Sequence, residues 1–207
     1  REGGNAFDAA IATAAVEGVT IPPMCGMGGE VFALLYQAGT GKLYGVTGSG
    51  MAPMGASREY FIQNGYTEMP GIGPLAPSVP GEVHAWETIV ERFGTKKLSA
   101  LIQPAIDIAD QGFPLPQHIA RFFPMFLKTL NLYPEVAQIY TNQGTAMEPG
   151  DVLVQQNLAR TLRRVAEGGA NDFYHGGIAR DIAESIQKMG GLITREDLAN
   201  QETLIYE

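Results

Sequence analysis

Pro22-Pro23-Met24-Cys25-Gly26-Met27-Gly28-Gly29-Glu30 leads into Val31-Phe32-Ala33-Leu34-Leu35-Tyr36-Gln37. After Ala38-Gly39-Thr40-Gly41-Lys42 the chain resumes as Leu43-Tyr44-Gly45-Val46-Thr47 and enters Gly48-Ser49-Gly50-Met51-Ala52-Pro53. Two short runs rich in β-branched and aromatic residues, joined by a few residues that include glycine, predict a β-hairpin, Val31 to Gln37 and Leu43 to Thr47. Neither strand alternates cleanly between apolar and polar residues, which predicts a place in a central sheet buried on both faces. The glycines at the two outer ends admit two readings. They are ordinary turn residues, or they let the backbone approach something closely.

Upstream, Gly3-Gly4-Asn5 predicts a turn and a helix N-cap, with Asp8 placing negative charge near the positive end of the helix dipole. The helix, Ala6 to Glu17, is built mostly from small residues, among them Ala9, Ala10, Ala12, Ala14 and Ala15. Such a surface allows close packing, and the expectation is that this helix covers one face of the hairpin. Gly18 is read as its C-terminal stop, and Pro22-Pro23 bars helical continuation.

Downstream the pattern turns helical. Ser57 to Phe61 reads as a short helix, and Gly65 to Pro80, punctuated by Pro70, Pro74, Pro77 and Pro80, as a loop wrapped over a surface or pocket. Gly81 to Phe93 carries Val83, Trp86, Ile89, Val90 and Phe93 on one helical face. Leu98 to Asp110 is a second amphipathic helix, kinked or started by Pro104. Further helices are expected at Ile119 to Leu130, interrupted near Pro124, at Gln155 to Glu167, closed by Gly168-Gly169, and at Ile178 to Met189. Thr194 with Asp197 has capping-box spacing, and Leu204 to Glu207 reads as a strand beginning. No internal period of 20 to 50 residues appears.

The chain has 207 residues, 45% of them hydrophobic, enough for one domain with a sizeable core. Its net charge of -8 and lack of a basic stripe argue against a nucleic-acid partner. One cysteine excludes an internal disulfide framework, and no apolar run approaches the roughly 18 residues of a membrane helix. The chain opens on Arg1 and not on methionine, so a preceding segment is expected. The compartment stays open between cytoplasmic and periplasmic or secreted.

Candidate chemistry is sparse. His84, His118 and His175 have no His or Cys partner at metal-ligand spacing, so no metal or cofactor role is expected. Cys25 sits in a glycine turn without a nearby histidine to activate it. Gly26-Met27-Gly28-Gly29-Glu30 lacks the preceding strand, the following helix and the Lys-Ser/Thr of a phosphate loop. Glu30 and Asp8 could act as paired carboxylates only if the fold joined them. Thr47 and Ser49 place hydroxyls at a glycine loop, where a substrate carboxylate or amide could bind. The residues by themselves predict a loop-lined pocket and no definite reaction.

Motifs along the chain resemble those of the γ-glutamyltranspeptidase family. Gly3-Gly4-Asn5-Ala6-Phe7-Asp8-Ala9-Ala10 is similar to its G-G-N-A-x-D-A-A opening, and Gly26-Met27-Gly28-Gly29-Glu30-Val31-Phe32 to its G-x-G-G-x-x-F turn. Val79-Pro80-Gly81-Glu82-Val83 resembles V-P-G-x-V. Pro104-Ala105-Ile106 with Gly112-Phe113-Pro114 resembles P-A-I…G-F-P. Pro149-Gly150-Asp151 with Gln156 to Leu162 resembles P-G-D…Q-x-x-L-A-x-T-L. Phe173-Tyr174-His175-Gly176 resembles F-Y-x-G, and Gly190-Gly191-Leu192-Ile193-Thr194 with Asp197-Leu198 resembles G-G-x-x-T-x-x-D-L. The matches follow family order over nearly the whole chain.

The resemblance implies an α+β fold, the αββα sandwich of the N-terminal-nucleophile hydrolases. This chain would be a partial, mostly helical large-subunit segment, residues 1–207, incomplete at both ends. It implies a self-cleaving precursor whose small subunit supplies an N-terminal threonine, with that residue's amine as base. The threonine attacks a γ-glutamyl amide, and water or an amine resolves the acyl-enzyme. No catalytic residue is then expected in this chain, which would be inactive alone. The implied partners are the small subunit and a small-molecule γ-glutamyl or acyl amide, with further oligomerisation left open.

One departure bears on the substrate. Where the transpeptidases carry R-E-x-A-P, with an arginine that grips the glutamyl α-carboxylate, this chain has Ser49-Gly50-Met51-Ala52-Pro53. Gly48 to Pro53 is closer to the G-S-G-R-A-P of a sister branch that includes oxamate amidohydrolase-like and acylase-like members, with Met51 in place of its arginine. The Trp86 helix also resembles that branch. Ser49, Gly50 and Met51 are therefore the expected substrate-binding residues. A non-catalytic paralogue or binding subunit is the competing reading, and Ser49 as a mere turn cap is the structural alternative.

Overall fold

The computed structural model describes residues 3–207; Arg1 and Glu2 lie outside them. In chain order its elements are α1 (Ala6–Thr20), β1 (Val31–Gln37), β2 (Lys42–Gly48), α2 (Arg58–Gln63), α3 (Glu82–Phe93), α4 (Leu98–Gln111), β3 (Phe113–Pro114), α5 (Gln117–Ala120) and α6 (Phe123–Leu130). There follow α7 (Pro134–Tyr140), β4 (Val152–Leu153), α8 (Gln156–Tyr174), α9 (Gly177–Lys188), α10 (Arg195–Ala199) and β5 (Leu204–Tyr206). The elements read from the sequence are present; α7 and the two-residue β3–β4 pairing are not legible there.

Helix α1 starts where Asn5 predicts it. The Asn5 side chain accepts from the Asp8 N–H at 3.0 Å, and the Asp8 carboxylate accepts from the Asn5 N–H at 2.7 Å, a reciprocal capping box. Its end is a correction: Gly18 does not stop the helix, which runs on to Thr20. A Cβ at Gly18 would stand 3.3 Å from the Gly26 Cα. The glycine is there so that the Pro22–Glu30 turn can lie on the helix, and Pro22 supplies the stop. Helix α4 likewise continues through Pro104, whereas α8 breaks at Gly169, φ +62°, as the Gly168-Gly169 pair predicts.

Strands β1 and β2 pair antiparallel, Val31 with Gly48 through Gln37 with Lys42, and β5 adds to the far side of β2 with Val46 opposite Ile205. The helix lying directly on this sheet is α3, not the Ala-rich α1. A Cβ at Gly48 would fall 2.5 Å from the Ala85 Cβ, so the last residue of β2 packs directly on the Ala85 methyl of α3. Phe93 of α3 wedges between the Tyr44 ring of β2 (5.0 Å between centroids) and the Phe7 ring of α1 (5.3 Å), which is how α1 reaches the sheet. Helix α4 packs between α1 and α8. Trp86, Ile102, Ile106, Leu162, Phe173 and Tyr174 fill the resulting core, and Ala105, Ala109 and Ala159 let the helices close in.

The expectation of a sheet buried on both faces is corrected among the described residues. Leu35, Tyr44 and Val46 point into the core, but Phe32 (69% exposed), Leu34 (78%), Tyr36, Leu43, Leu204 and Tyr206 stand uncovered. Register puts Phe32, Leu34, Tyr36 and Leu43, with Leu204 and Tyr206 of β5, on one face. Strands with two apolar faces do encode a sheet covered twice, but the pattern does not say which chain carries the second cover. No helix among the described residues is long and apolar enough to cross a membrane.

Candidate functional site

Motifs far apart in sequence meet at the end of β2. The Gly29 carbonyl accepts from the N–H groups of Gly81 (2.9 Å) and Glu82 (3.0 Å), so the glycine turn seats on the start of α3. Gly48 and Gly81 face one another so closely that a Cβ on Gly81 would lie 2.1 Å from the Gly48 carbonyl oxygen. A Cβ on Gly50 would lie 1.5 Å from that of Val79. Here the glycines serve close approach of two backbones, the second reading of the sequence, and no side chain fits in their place. The Val79 N–H donates to the Met51 carbonyl at 3.0 Å. The Tyr174 hydroxyl donates to the Pro80 carbonyl at 2.8 Å and accepts from the His84 N–H at 3.1 Å, which ties the Phe173–Gly176 motif to the same place.

Side chains brace the Gly48–Met54 loop from three sides. Glu30 Oε1 accepts from the Ser78 hydroxyl at 2.9 Å and lies 3.4 Å from the Gly50 N–H. Asp197, buried, accepts from the Met54 N–H at 2.8 Å while closing the capping box of α10 with Thr194. Burial would raise its pKa, but the bonds from Met54 and Thr194 prevail and hold it low. Gln201 donates to the Ser49 carbonyl at 3.2 Å. Ser49 itself is half-buried, and its hydroxyl forms no hydrogen bond among the described residues, so it caps no turn there; the Met51 side chain is exposed. Thr47 points to the uncovered face of β2, paired with Phe32.

Two carboxylates depart furthest from ordinary titration. Glu82 is buried under the glycine turn, where a Cβ on Gly29 would stand 3.3 Å from its Oε2. Desolvation pushes its pKa up to about 7, and the neighbouring Trp86 indole N–H, which meets no partner in full hydrogen-bond geometry among the described residues, offsets little of this. Asp8 is also buried, but hydrogen bonds from the Thr95 hydroxyl (2.6 Å) and the N–H groups of Asn5, Thr95 and Lys96 outweigh burial and bring it down to about 2. Asp8 and Glu30 do not come together: each is engaged by its own set of partners. Burial lowers the pKa of His84, whose Nδ1 lies 2.9 Å from the Thr203 hydroxyl. His118 and His175 are exposed, and no cluster of three metal-binding side chains occurs among the described residues. Partial burial, then Glu17 and Glu82, raise the Cys25 thiol, which makes it a poorer nucleophile.

Sequence reasoning missed Glu82, Asp197 and Gln201 as parts of this assembly. A glutamate opening a helix reads as a dipole partner; only the Val83 and Trp86 that flank it hint at burial. Asp197 was legible as a cap, but its second bond spans 143 residues, and that of Gln201 spans 152.

Comparison with known proteins gives one consistent answer. A family model described as gamma-glutamyltranspeptidase matches residues 1–207. The chain is 34% identical over 196 residues to the glutathione hydrolase-like YwrD proenzyme of Bacillus subtilis, covering 95% of this chain and 37% of that protein. It is similar to the crystal structure of Helicobacter pylori gamma-glutamyltranspeptidase (TM-score 0.94, 33% identity, all of this chain and 60% of that one). It is also similar to the cephalosporin acylase from Bacillus halodurans (TM-score 0.92, 35% identity, 99% and 39%). The chain thus spans about a third of the length of the curated relative.

Proposed function

The chain belongs to the γ-glutamyltranspeptidase family, and on that footing we propose that it supplies the large-subunit part of an amide-cleaving N-terminal-nucleophile enzyme. The mixed helix-and-sheet architecture is that of the N-terminal-nucleophile hydrolases, shared with a transpeptidase and an acylase. Residues 1–207 act as one such segment. The nucleophilic threonine comes from a partner subunit made by self-cleavage, a reading that the relative's name, proenzyme, supports. Its hydroxyl loses a proton to its own amine and attacks the amide carbonyl. The amine of the substrate leaves with a proton, and water or an acceptor amine then releases the acyl group. The uncovered face of Phe32, Leu34, Tyr36 and Leu43 is where strands of that partner would lie, which supports a two-subunit sandwich.

The observation that carries the substrate reading is the braced Gly48–Met51 loop. Ser49, Gly50 and Met51 line the acyl pocket in this proposal, and Ser49 stands where an arginine would grip an α-carboxylate. A hydroxyl offers one neutral donor in place of a charged fork, a loss of roughly 1 to 3 kcal/mol toward a carboxylate. We therefore favour the amidohydrolase branch, acting on simple or modified acyl amides, over glutathione-type γ-glutamyl transfer; the likeness to an acylase supports this. The test is the full-length, processed protein assayed with γ-glutamyl and simple acyl anilides, before and after Ser49→Arg. The expected result is a weak γ-glutamyl preference that Ser49→Arg strengthens. An unmoved preference removes Ser49 from the site, and a full-length protein that never self-cleaves and turns over neither substrate supports a binding subunit instead.

A further inference from the structure

We propose that Glu30 sets the charge preference of the acyl site, so that acyl groups bearing an amine are taken in preference to those bearing a carboxylate. The inference rests on reading the Ser49 loop as part of that site. Glu30 ends the glycine turn one residue before Val31, which pairs with Gly48, so its backbone lies beside Ser49 and Gly50. Its Oε1 is held by the Ser78 hydroxyl and faces the Gly50 N–H, while the residue as a whole is exposed. No lysine, arginine or histidine pairs with it among the described residues, and Oε2 takes no hydrogen bond from them. A fixed, unneutralised negative charge therefore borders the loop.

Three donors around the loop that could serve a carboxylate substrate are already engaged. The Gly50 N–H faces Glu30, the Met54 N–H donates to a second carboxylate, Asp197, and the Gln201 amide donates to the Ser49 and Glu202 carbonyls. Of the side chains of the loop itself, the Ser49 hydroxyl stays available, and it can accept as well as donate. A loop that carries one hydroxyl and a thioether, is bordered by one free carboxylate oxygen, and has its Gly50 and Met54 N–H groups turned toward acids suits an ammonium group and repels a second carboxylate.

The test uses the full-length, processed protein and two anilides that differ from the γ-glutamyl anilide by one group each: 4-aminobutyryl, which lacks the carboxylate, and glutaryl, which lacks the amine. The expected result is a kcat/KM preference of roughly tenfold for 4-aminobutyryl, reduced to near parity by Glu30→Gln, which keeps an oxygen acceptor for Ser78 and Gly50 and removes the charge. Glu30→Asp should retain most of it. Raising ionic strength from about 0.02 to about 0.5 M should shrink the wild-type preference, a readout that needs no variant to fold, and should leave that of Glu30→Gln unchanged. Binding of 4-aminobutyramide and glutaramate, followed by NMR shifts at Gly48 to Met51, repeats the comparison without turnover. Glutaryl preferred by the wild type, or a ratio indifferent to both Glu30→Gln and salt while the anilides are cleaved, overturns the assignment and leaves the hydrolase reading standing. Charge-dependent binding with no cleavage does the reverse.

Discussion

Gln201 donates its side-chain amide to the Ser49 carbonyl at 3.2 Å, joining a position three residues before β5 to the loop after β2 across 152 positions of sequence. The same amide nitrogen donates to the Glu202 carbonyl at 3.0 Å, while the buried Gln201 Oε1 has no partner among the described residues. The bond fixes where the loop leaves the sheet, and the amide has little freedom, since a Cβ on Gly81 would stand 3.0 Å from it. Gln201→Leu should leave the Ser49 carbonyl unsatisfied and cost about 1 to 3 kcal/mol. Denaturant unfolding reads the cost, and faster amide exchange confined to Gly48 to Met51 shows where it falls. Unchanged exchange there would mean that the loop is held without Gln201.

The glycines of this chain are not equivalent. A Cβ on Gly50 would overlap the Val79 carbonyl at 1.5 Å, and that contact is backbone, which cannot swing aside. At Gly28 a Cβ meets nothing within 4 Å among the described residues. Gly50→Ala should therefore cost about 3 kcal/mol or more, or abolish folding, whereas Gly28→Ala should stay within about 0.5 kcal/mol. Equilibrium unfolding of the two variants side by side decides it, and equal stabilities would refute the close-approach account.

The contrast explains what the sequence made legible. Asn5, Pro22 and Gly169 act through neighbours in the chain, so capping, strand and breaker chemistry could be read directly. Gly18, Gly48 and Gly50 were visible as glycines, but what they make room for lies 8 to 37 residues away. The motifs named stretches that meet at the end of β2, while Gln201 and Asp197 join them only by way of the fold. The lack of clean alternation in the hairpin predicts two covers, with Phe32, Leu34 and Tyr36 apolar on its second face. Their solvent-facing side shows that composition specifies a need for burial, not the element that meets it.

Asp8 anchors α1 to the turn that follows α3. Its carboxylate accepts from Thr95 and Lys96 as well as from Asn5, and together these bring its pKa to about 2 against an unfolded value of 3.8. Because the folded value is depressed, the charged form favours folding. The contribution is fully present above pH 3.8 and is lost as pH falls through about 2, and it amounts to about 2 kcal/mol. Asp8→Asn should remove that share of stability at neutral pH and flatten the acid limb of a stability profile between about pH 4 and 2. An acid limb as steep as that of the wild type would place the dependence on other carboxylates.

Glu82 should give the opposite slope. Burial beneath the Gly26–Gly29 turn raises its folded pKa to about 7 from 4.5, so the neutral carboxyl is the form the fold prefers. Its contribution is complete below pH 4.5 and is lost as pH rises through 7, a decline of about 3 kcal/mol across that window for this group alone. Asp8 has finished titrating by pH 4.5 and does not mask it. Trp86 is the only tryptophan of the sequence and lies buried beside Glu82, so its fluorescence reports both unfolding and the ionisation itself. Glu82→Gln keeps the size of the side chain and cannot ionise. It should match the wild type near pH 4.5 and exceed it above pH 7, with no fluorescence titration near neutrality. A wild-type stability that stays level from pH 4.5 to 8, or a fluorescence titration that persists in Glu82→Gln, would show that the carboxyl beneath the glycine turn is solvated.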